Sequence, residues 1–400
     1  MSGVLFVHGV QPVTDGRVSV ELERVSNQGY TLEGEGLFSE GFEAKVTRGL
    51  REGSFVRLAN GEFRSAGGEG EAKAALMLNN KFRSLLESRS EAPSPFARGR
   101  GQVCSYHVNV GHGNCSIIVR ETGMDLEIVM VDCSTYDFLN HQHYRNNLAS
   151  CIQTIMADFA LGEFSVSRFF LTHPHFDHFN GIGYLLDNGY LENSEIWANM
   201  HYSWAMPSYN TILMRLYNSA RAQNLKFVEP IAGNSGSFAA VLHPSLRTLR
   251  TSPKTSAYCQ PYRIVSQVNN SSTVLMFGSE RRTMILPGDL EREGWAEFHD
   301  CHHYLPRCSY YCVSHHGSAT GHFKPNCPHS GGEMAIASCL AGLRCAAIMG
   351  RDRAYSGIFS TEVLRDFGAS GHRVDAGANA NVAVRFIRID WDTGHVAHYA

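Results

Sequence analysis

The sequence predicts an α/β protein that carries a small β-rich module at its N-terminus. Residues 1 to 66 alternate short β-type runs with glycine-rich turns, a pattern typical of a small β module. From Cys104 onward, apolar strand-like runs alternate with longer segments of helical periodicity. This alternation indicates helices layered on sheets, and we expect the main domain over residues 103 to 400.

A helix and a linker are predicted between these two parts, over residues 67 to 102. Apolar residues recur at helical spacing within Glu71 to Ser88, which favours an amphipathic helix. Residues 91 to 102 are rich in proline, glycine and arginine, a composition typical of a linker. We therefore expect two folded units joined by this segment.

The predicted elements of the main domain follow from apolar runs bounded by turn residues. The strand-like runs are, in order, Tyr106 to Val110, Cys115 to Arg120, Leu126 to Asp132, Arg168 to Leu171, Thr273 to Phe277, Thr283 to Leu286, Tyr310 to Val313, Cys345 to Met349 and Ala383 to Asp390. The clearest helical pattern runs from Tyr144 to Ala160. The stretch from Tyr202 to Ser271 shows no clear period, and we predict irregular structure there.

The composition excludes a strong global attraction to polyanions. The 35 lysine and arginine residues are balanced by 38 aspartate and glutamate residues, which gives a net charge of −3. Because the chain as a whole produces no positive field, binding of nucleic acid would require a local basic patch.

Cysteine usage and hydropathy predict the cellular location. The 11 cysteines form no Cys-x-x-Cys pair, and their odd number and scatter favour free thiols in a reducing compartment. The first residues lack the basic region and the apolar stretch of a signal peptide, and no run of about 18 apolar residues occurs. We therefore expect a cytoplasmic protein without membrane contact.

An apolar strand leads directly into three histidines and an aspartate within six positions, namely His173, His175, Asp177 and His178. Imidazole nitrogens and carboxylate oxygens are ligands that Zn²⁺ and similar cations favour. Because Pro174 stiffens the turn, the first two histidines can point to one side while the aspartate and last histidine point elsewhere. We predict one metal on each pair. Solvated loop histidines are the alternative, and they would not explain four ligand-type side chains after a buried strand.

The pattern His-x-His-x-Asp-His at these positions resembles the signature of the metallo-β-lactamase superfamily. Three further blocks follow in that family's order, namely Met130-Val-Asp-Cys-Ser134, Leu286-Pro-Gly-Asp-Leu290 and Val313-Ser-His-His-Gly-Ser318. The doubled histidine and the run from Asn269 to Leu275 are most similar to the hydrolase domain of bacterial DNA-uptake (competence) channel proteins and related phosphodiesterases. His112 and Asn114 stand where that branch has Gln and Asp. The resemblance implies an αββα sandwich, with two mixed sheets and helices outside.

The resemblance also implies two divalent metal ions, Zn²⁺ first and Mn²⁺ as the alternative. On this basis His173 and His175 hold one ion, Asp177 and His178 hold the second, and Asp289 bridges both. Asp177 would therefore belong to the catalytic machinery as well as to the metal site.

Further roles are implied for residues around these ligands. Asp132 would orient the site. One of His315 and His316 would complete the second metal while the other contacts substrate or donates a proton, and we favour His316 as the ligand. Many members carry an isolated histidine on the first metal, for which His201 and His243 are the candidates.

Substrate contacts are predicted at two loops. Ser318, in the His-His-Gly-Ser block, can donate a hydrogen bond to a phosphate, and so can Ser314; the alternative for both is a turn residue. Arg351, Arg353 and Tyr355 follow a predicted strand at the place where related domains bring a loop towards the substrate. They are predicted to bind phosphate, or else to form a solvated loop.

The expected reaction is hydrolysis, because a water or hydroxide held between two cations has its pKa lowered from about 15.7 towards 7. We predict a phosphodiesterase or nuclease-like enzyme that acts on nucleic acid or on a nucleotide-like phosphate ester through this metal-bridged hydroxide. One alternative is a hydrolase of a lactone, an amide or another acyl substrate, since the same water attacks acyl carbons. Another is an effector whose hydrolase is silent until the N-terminal module binds a protein partner.

Overall fold

The computed structural model describes most of the chain beyond residue 100 and short segments before it. The described residues are 4–13, 17–25, 44–45, 54–59, 62–65, 86–87, 101–122, 125–198, 207–233, 238–244, 268–279, 282–302, 305–325, 332–355, 357–375 and 383–400. The chain divides into two compact units. The first comprises Met1–Leu86, Met200–Ala222 and Pro253–Ile264, and the second comprises Glu87–Asn199, Gln223–Ser252 and Val265–Ala400.

The first unit contains a five-stranded antiparallel sheet with the order β3-β2-β1-β4-β5. Its strands are β1 Val4–Val13, β2 Arg17–Val25, β3 Ala44–Lys45, β4 Phe55–Ala59 and β5 Glu62–Ser65. The helix predicted over Glu71 to Ser88 lies outside the described residues except at Leu86–Glu87 (β6). Those two residues form a short strand instead, because their backbone joins a sheet edge.

The second unit is built on two mixed sheets. The remaining strands are β7 Val103–Val108, β8 Cys115–Thr122, β9 Asp125–Cys133, β10 Tyr136–Asp137, β11 Gln142–His143, β12 Arg168–Leu171, β13 Glu195–Ala198, β14 Lys226–Val228, β15 Ala239–His243, β16 Val274–Ser279, β17 Arg282–Leu286, β18 Tyr310–Cys312, β19 Phe323–Pro325, β20 Glu333–Ala335, β21 Cys345–Ile348, β22 Gly371–Arg373, β23 Phe386–Asp390 and β24 Val396–Tyr399. The larger sheet has the order β24-β23-β7-β8-β9-β12-β13-β14-β6, and the smaller has the order β15-β16-β17-β18-β21-β22.

The two sheets repeat one strand pattern. In the larger sheet, β7, β8 and β9 are antiparallel neighbours, and β12, β13 and β14 continue parallel to β9. In the smaller sheet, β15, β16 and β17 are antiparallel, and β18, β21 and β22 continue in parallel. The carboxyl ends of the parallel strands therefore lie at one edge of each sheet, where open α/β sheets place their ligands.

Seven α-helices are described, and short 3₁₀ turns complete the pattern. The helices are α1 Arg145–Asp158, α2 Phe176–Phe179, α3 Ile182–Asp187, α4 Pro207–Ala222, α5 Arg292–His302, α6 Ile336–Cys339 and α7 Thr361–Phe367. The 3₁₀ turns are Ser314–Gly317, Ala319–Gly321 and Gly368–Ser370. None of the described helices is long and apolar enough to cross a bilayer.

The core of the second unit lies between its two sheets. Phe170 of β12 meets Phe277 of β16 edge to face, with ring centroids 6.0 Å apart, and both belong to one buried cluster with Trp391. Side chains alternate along the strands of the smaller sheet, so Leu275 faces this cluster while Val274 faces a second one.

Helices cover the outer faces. The second cluster joins the smaller sheet to Trp295 of α5 and Val363 of α7. On the larger sheet, the Tyr106 hydroxyl of β7 donates a hydrogen bond to Asp158 of α1. The predicted architecture of two mixed sheets with helices outside is therefore confirmed.

The structure predicted for one region was wrong. The stretch from Tyr202 to Ser271, expected to be irregular, contains α4, β14 and β15 among its described residues. Pro207 opens α4, a position that suits proline because the first helical N–H has no intrahelical partner. The helix was missed because its buried residues include a nearly continuous apolar run from Ile212 to Leu216, which obscures the helical period.

Candidate metal centre

The predicted ligands lie at the carboxyl ends of parallel strands in both sheets. Asp132 is next to the end of β9, and the His173 to His178 segment follows β12. Asp289 follows β17, and the 3₁₀ turn Ser314–Gly317 follows β18. The fold thus brings together four sequence blocks that are far apart in the chain.

The segment after β12 turns sharply into the short helix α2. His175 has extended backbone, with φ −85° and ψ 150°, and α2 begins at the next residue. The loop after β7 supports this turn, because the Asn114 N–H donates to the Asp177 carbonyl over 3.0 Å. A Cβ on Gly113 would stand 2.7 Å from that carbonyl oxygen, so this approach requires glycine.

Two groups of ligand-type side chains result, and they share Asp289. The first group consists of His173, His175 and Asp289, and the second consists of Asp177, His178, Asp289 and His316. In each group, one ligand atom per residue lies within 4.8 Å of all the others. The resemblance implied the same two pairs and the same shared aspartate, and their roles as metal ligands stay a prediction.

The distances suit ligands that share cations. His173 Nε2 lies 3.0 Å from His175 Nδ1 and 3.8 Å from Asp289 Oδ2. In the second group, Asp289 Oδ2 lies 3.3 Å from His178 Nε2, and His316 Nε2 lies 3.3 Å from Asp289 Oδ2 and 3.2 Å from Asp177 Oδ2. Two ligand atoms bound tetrahedrally about 2.1 Å from one Zn²⁺ would stand about 3.4 Å apart.

Buried polar atoms provide a second test of the fit. Asp289 Oδ1 is buried without a hydrogen-bond partner, and the Nε2 atoms of His178 and His316 are buried 3.2–3.3 Å from carboxylate oxygens without the geometry of a hydrogen bond. Buried polar groups are normally satisfied, because leaving one without a partner costs about 1–3 kcal/mol. Divalent cations would satisfy these atoms, so the residues present fit a two-metal centre.

The carboxyls of the site are held in their ionised form. Burial alone would raise the pKa of Asp289, but the neighbouring His316 and His178 outweigh burial and hold that pKa well below its ordinary value. The pKa of Asp177 is lowered against burial by the same two histidines. Burial opposes a positive charge on His316, yet Asp289 and Asp177 raise the pKa of His316 to about 9. The two carboxylates thus attract positive charge into the second group.

The two histidines of the first group are neutral. Burial lowers the pKa of His175 to about 4. Burial, with the adjacent His178 and His175, also holds the pKa of His173 well below its ordinary value. A neutral imidazole keeps a lone pair for a metal.

Asp132 holds His178 and Thr172 through three hydrogen bonds, and its role in orienting the site stays a prediction. Its Oδ2 accepts from His178 Nδ1 over 2.7 Å and from the Thr172 hydroxyl over 2.8 Å, while its Oδ1 accepts from the Thr172 N–H over 2.8 Å. The bond to Nδ1 directs the Nε2 atom of His178 towards the second group. Such an outer carboxylate fixes the tautomer and the ring orientation of a ligating histidine.

The two adjacent histidines take different positions. The His316 side chain is 1% exposed and faces Asp177 and Asp289. The His315 side chain is 21% exposed, and its Nδ1 lies 3.2 Å from Glu291 Oε1 and 2.8 Å from Thr320 Oγ1. His316 therefore belongs to the second group of ligand-type side chains, whereas the Nε2 of His315 belongs to neither group.

Of the two candidates for an additional ligand on the first metal, His243 lies within the described residues. His243 lies in β15, and its Nε2 donates to the Asn270 carbonyl over 2.9 Å. His243 belongs to neither described ligand group. His201 lies outside the described residues.

The predicted substrate-binding residues are placed as follows. Ser318 is half-buried and caps the turn Ala319–Gly321 by accepting from the Thr320 N–H, and Ser314 is buried and donates to the Leu290 carbonyl over 2.7 Å. Arg353 is exposed on the loop after β21. Tyr355 is exposed on the same loop, and its ring meets the His112 ring edge to face. Their roles in binding remain predictions.

Several residues of the site were not assigned by the sequence. His112 is buried with its Nε2 3.4 Å from Asp177 Oδ2. Asp137 accepts from the His112 N–H over 3.1 Å and from Arg351 Nε over 2.8 Å. The ion pair joins the loops after β9 and β21, which are 214 residues apart in the chain, so sequence spacing gave no signal for it. For His112, the departure from the family pattern was the available signal.

Comparisons with known proteins give distant likenesses to solved structures. The metallo-β-lactamase fold protein YhfI from Bacillus subtilis is 11% identical with a TM-score of 0.38, over 69% of this chain and 98% of that chain. A diphosphatase from the PhnP family is 8% identical with a TM-score of 0.35, over 68% and 94%. A mutant of the β-hydroxylase CmlA is 12% identical with a TM-score of 0.38, over 97% and 75%. Likenesses this distant support no inference about this chain. No protein-family model and no curated protein matches it.

Proposed function

We propose that this chain is a binuclear metal-dependent hydrolase of the metallo-β-lactamase type that acts on phosphate diesters. The observation that carries the proposal is the pair of His/Asp groups that share Asp289. The order of the four motif blocks along the sequence supports the same assignment. Four imidazoles and two carboxylates suit Zn²⁺ first and Mn²⁺ second.

The chemistry needs the residues to hold two positive charges close together. When bound, two divalent cations activate water and stabilise the attacking and leaving oxygens of a displacement. The Asp289 carboxylate lies between the groups and offsets the repulsion between these charges. Asp132 and Thr172 hold His178 in one orientation, and preorganised ligands reduce the reorganisation that catalysis would otherwise require.

His315 is the proposed proton donor to the leaving oxygen. Glu291 and Thr320 contact its Nδ1, which leaves Nε2 as the atom that can release a proton. A carboxylate beside the far ring nitrogen fixes the orientation of the imidazole, as in other histidine acid–base pairs.

The described residues around the metal centre favour a small phosphate ester over a polynucleotide as the substrate. Arg351 is held by the buried Asp137 and is thus not available as an independent phosphate ligand. Arg353 is exposed beyond it, but within the described part of this loop one exposed guanidinium does not make a basic groove, and the net charge of −3 provides no wider attraction. The N-terminal sheet stays a proposed surface for a protein partner.

The proposal is tested by metal content and hydrolysis together. Mass spectrometry of the purified protein should find two metal equivalents per chain, and bis-p-nitrophenyl phosphate should be hydrolysed with added Zn²⁺ or Mn²⁺. Asp289→Asn should lose both metal equivalents because both groups use Asp289, whereas Asp177→Asn should lose one.

The comparison substrates are p-nitrophenyl acetate and a simple lactone. Faster turnover of these acyl substrates than of the diester would replace the phosphodiesterase with an acyl hydrolase. Two metals without any turnover would favour an enzyme gated by a partner, and a protein that binds no metal would contradict the proposal as a whole.

A further inference from the structure

Two large hydrophobic side chains are exposed in the described part of the chain. They are Phe138, which is 37% exposed, and Tyr355, which is 46% exposed. Phe138 directly follows β10, in the segment between β9 and α1, and Tyr355 lies on the loop after β21. Scattered exposed hydrophobic residues are ordinary on a protein surface, but the two segments that carry these residues are in contact, because Asp137 accepts a hydrogen bond from Arg351 Nε over 2.8 Å.

Phe138 is connected through a ring contact to the chain segment that carries His175 and Asp177. Its ring meets the Phe176 ring edge to face, with centroids 6.0 Å apart. Phe176 meets Tyr136 in the same way at 6.2 Å. Because Phe176 stands between His175 and Asp177 in the chain, this aromatic group is attached to the metal-binding segment itself.

Tyr355 is connected through His112 to His316 of the second ligand group. The two rings lie edge to face with centroids 5.0 Å apart, and the His112 ring lies 4.4 Å from that of His316. Burial raises the pKa of Tyr355 to about 12, and the charges of Asp177 and Asp137 add to the effect. The phenol is neutral at physiological pH, as an ordinary tyrosine is, so Tyr355 places an uncharged ring beside His112.

We propose that Phe138 and Tyr355 form an aromatic rim that binds a planar ring carried by the substrate. The inference rests on the proposed phosphodiesterase function and narrows its substrates to diesters whose ester group bears a nucleobase or another flat ring. An aromatic face binds such rings by stacking without needing a basic groove, and each stacked base contributes a factor of about 5 to 150 in affinity. Rigid aromatic side chains also lose little conformational entropy on binding.

The test compares two diesters with the same leaving group. Thymidine 5′-(p-nitrophenyl phosphate) and methyl p-nitrophenyl phosphate both release p-nitrophenol, so the ratio of their kcat/KM values reports on the retained group. The wild-type protein should prefer the thymidine ester by at least about tenfold. Phe138→Ala and Tyr355→Ala should each reduce this ratio by about 5-fold or more.

Matched variants separate the ring from other effects of substitution. Phe138→Tyr and Tyr355→Phe keep the ring and should keep most of the preference. Tyr399→Ala removes a half-buried ring from the edge strand β24, away from the rim, and should leave the ratio at the wild-type value.

Binding of the two products gives a readout that does not depend on turnover. Isothermal titration calorimetry should show tighter binding of thymidine 5′-monophosphate than of methyl phosphate, and the alanine variants should lose the difference. If the wild type hydrolyses both diesters equally, or if neither alanine variant changes the ratio, the proposal of an aromatic rim is wrong. If it hydrolyses neither diester, the proposed function fails, and equal binding of the two products would then overturn the rim as well.

Discussion

At the scale of single residues, the metal centre depends on side chains that play distinct parts although they are neighbours in sequence. His315 and His316 are adjacent, yet His316 faces Asp177 and Asp289 while His315 faces Glu291. Sequence spacing could not separate them, because both histidines follow the same strand and have the same chemistry. Their backbone separates them, since each has a left-handed conformation, with φ 48° and 51°.

This separation predicts different defects in two variants. His316→Gln should lose metal from the second group, because its Nε2 approaches both carboxylates of that group. His315→Gln should keep two metal equivalents and lower kcat by about 10²- to 10⁴-fold, the usual contribution of a positioned acid. Metal content and kcat measured on both variants check this, and metal loss in His315→Gln would make it a ligand instead.

A second prediction at this scale concerns His107, which is outside the metal centre. It is fully buried, its Nδ1 contacts the Ser116 hydroxyl over 2.9 Å, and burial lowers its pKa to about 3. The unfolded chain, with an ordinary histidine pKa of about 6.5, binds a proton in the window between these values while the folded chain does not. Stability contributed by neutral His107 is thus complete above about pH 6.5 and decreases as the pH falls towards 3.

The matched comparison is His107→Gln, which is uncharged at all pH values. Between pH 7 and pH 5, the wild-type protein should lose about 2 kcal/mol more free energy of unfolding than the variant. Urea denaturation at both pH values, in EDTA so that metal release does not contribute, measures the difference. Equal losses in the two proteins would show that His107 is protonated in the folded state.

At the scale of elements, the turn Ser314–Gly317 is an unusual piece of backbone. Its last three residues are all left-handed, and for the two histidines this conformation costs about 1–2 kcal/mol each. Hydrogen bonds hold the turn in place, since the His315 N–H donates to the Gly288 carbonyl over 3.2 Å and the Ser360 N–H donates to the Gly317 carbonyl over 2.9 Å. The strained backbone of this turn therefore directs the His316 side chain towards the carboxylates of Asp177 and Asp289.

Gly317→Ala should disturb this turn. A Cβ there would stand 2.9 Å from Phe359 Cδ1 and 3.2 Å from Ile348 Cγ2, at φ +75°. Gly394 has the same φ of +75°, but a Cβ on it would meet only the flexible Arg344 side chain at 3.6 Å or more. Gly394→Ala therefore reproduces the backbone strain without the crowding.

Thermal unfolding and metal titration of both variants measure the effect. Gly394→Ala should lose about 1 kcal/mol and bind metal normally, whereas Gly317→Ala should lose about 1–3 kcal/mol more because the core has to shift. Metal affinity at the second group should also fall in Gly317→Ala alone. Equal stability losses in the two variants would show that the packing around the turn adapts freely.

The elements that the sequence predicted well are those with one clear period. The strand Arg168–Leu171 was predicted to the residue, and the ends of α1 were displaced by one or two positions. In contrast, the contacts of His112, Asp137 and Phe138 with the centre join loops that only the folded chain brings together. Local patterns carry no information on such tertiary contacts.

At the scale of the whole second unit, the repeated strand pattern explains where the ligands lie. In the larger sheet, Asp132 comes at the end of the third antiparallel strand, and His173 to His178 follow the first parallel strand. In the smaller sheet, Asp289 and His316 follow the corresponding strands β17 and β18. The repeat was not evident in the sequence, because it preserves strand directions and ligand positions rather than residue identities.

Both ligand groups consequently draw residues from both sheets. His173 and His175 come from the larger sheet and Asp289 from the smaller, and the second group is divided in the same way. A ligand that binds only the folded state stabilises it by about 2.7 kcal/mol when its concentration is 100 times its dissociation constant. Two bound cations should therefore hold the sheets together with an effect of several kcal/mol.

Metal removal should accordingly lower the thermal stability of the second unit. We expect EDTA to reduce the Tm of the wild-type protein by about 5–15 °C, because one kcal/mol corresponds to about 2–4 °C in domains of this size. Asp289→Asn, which lacks the ligand common to both groups, should show little change with EDTA. Differential scanning calorimetry at matched protein concentration measures both shifts. Equal shifts in the two proteins would place the stabilising metal away from Asp289, and no shift in either would mean that the sheets are held together without the cations.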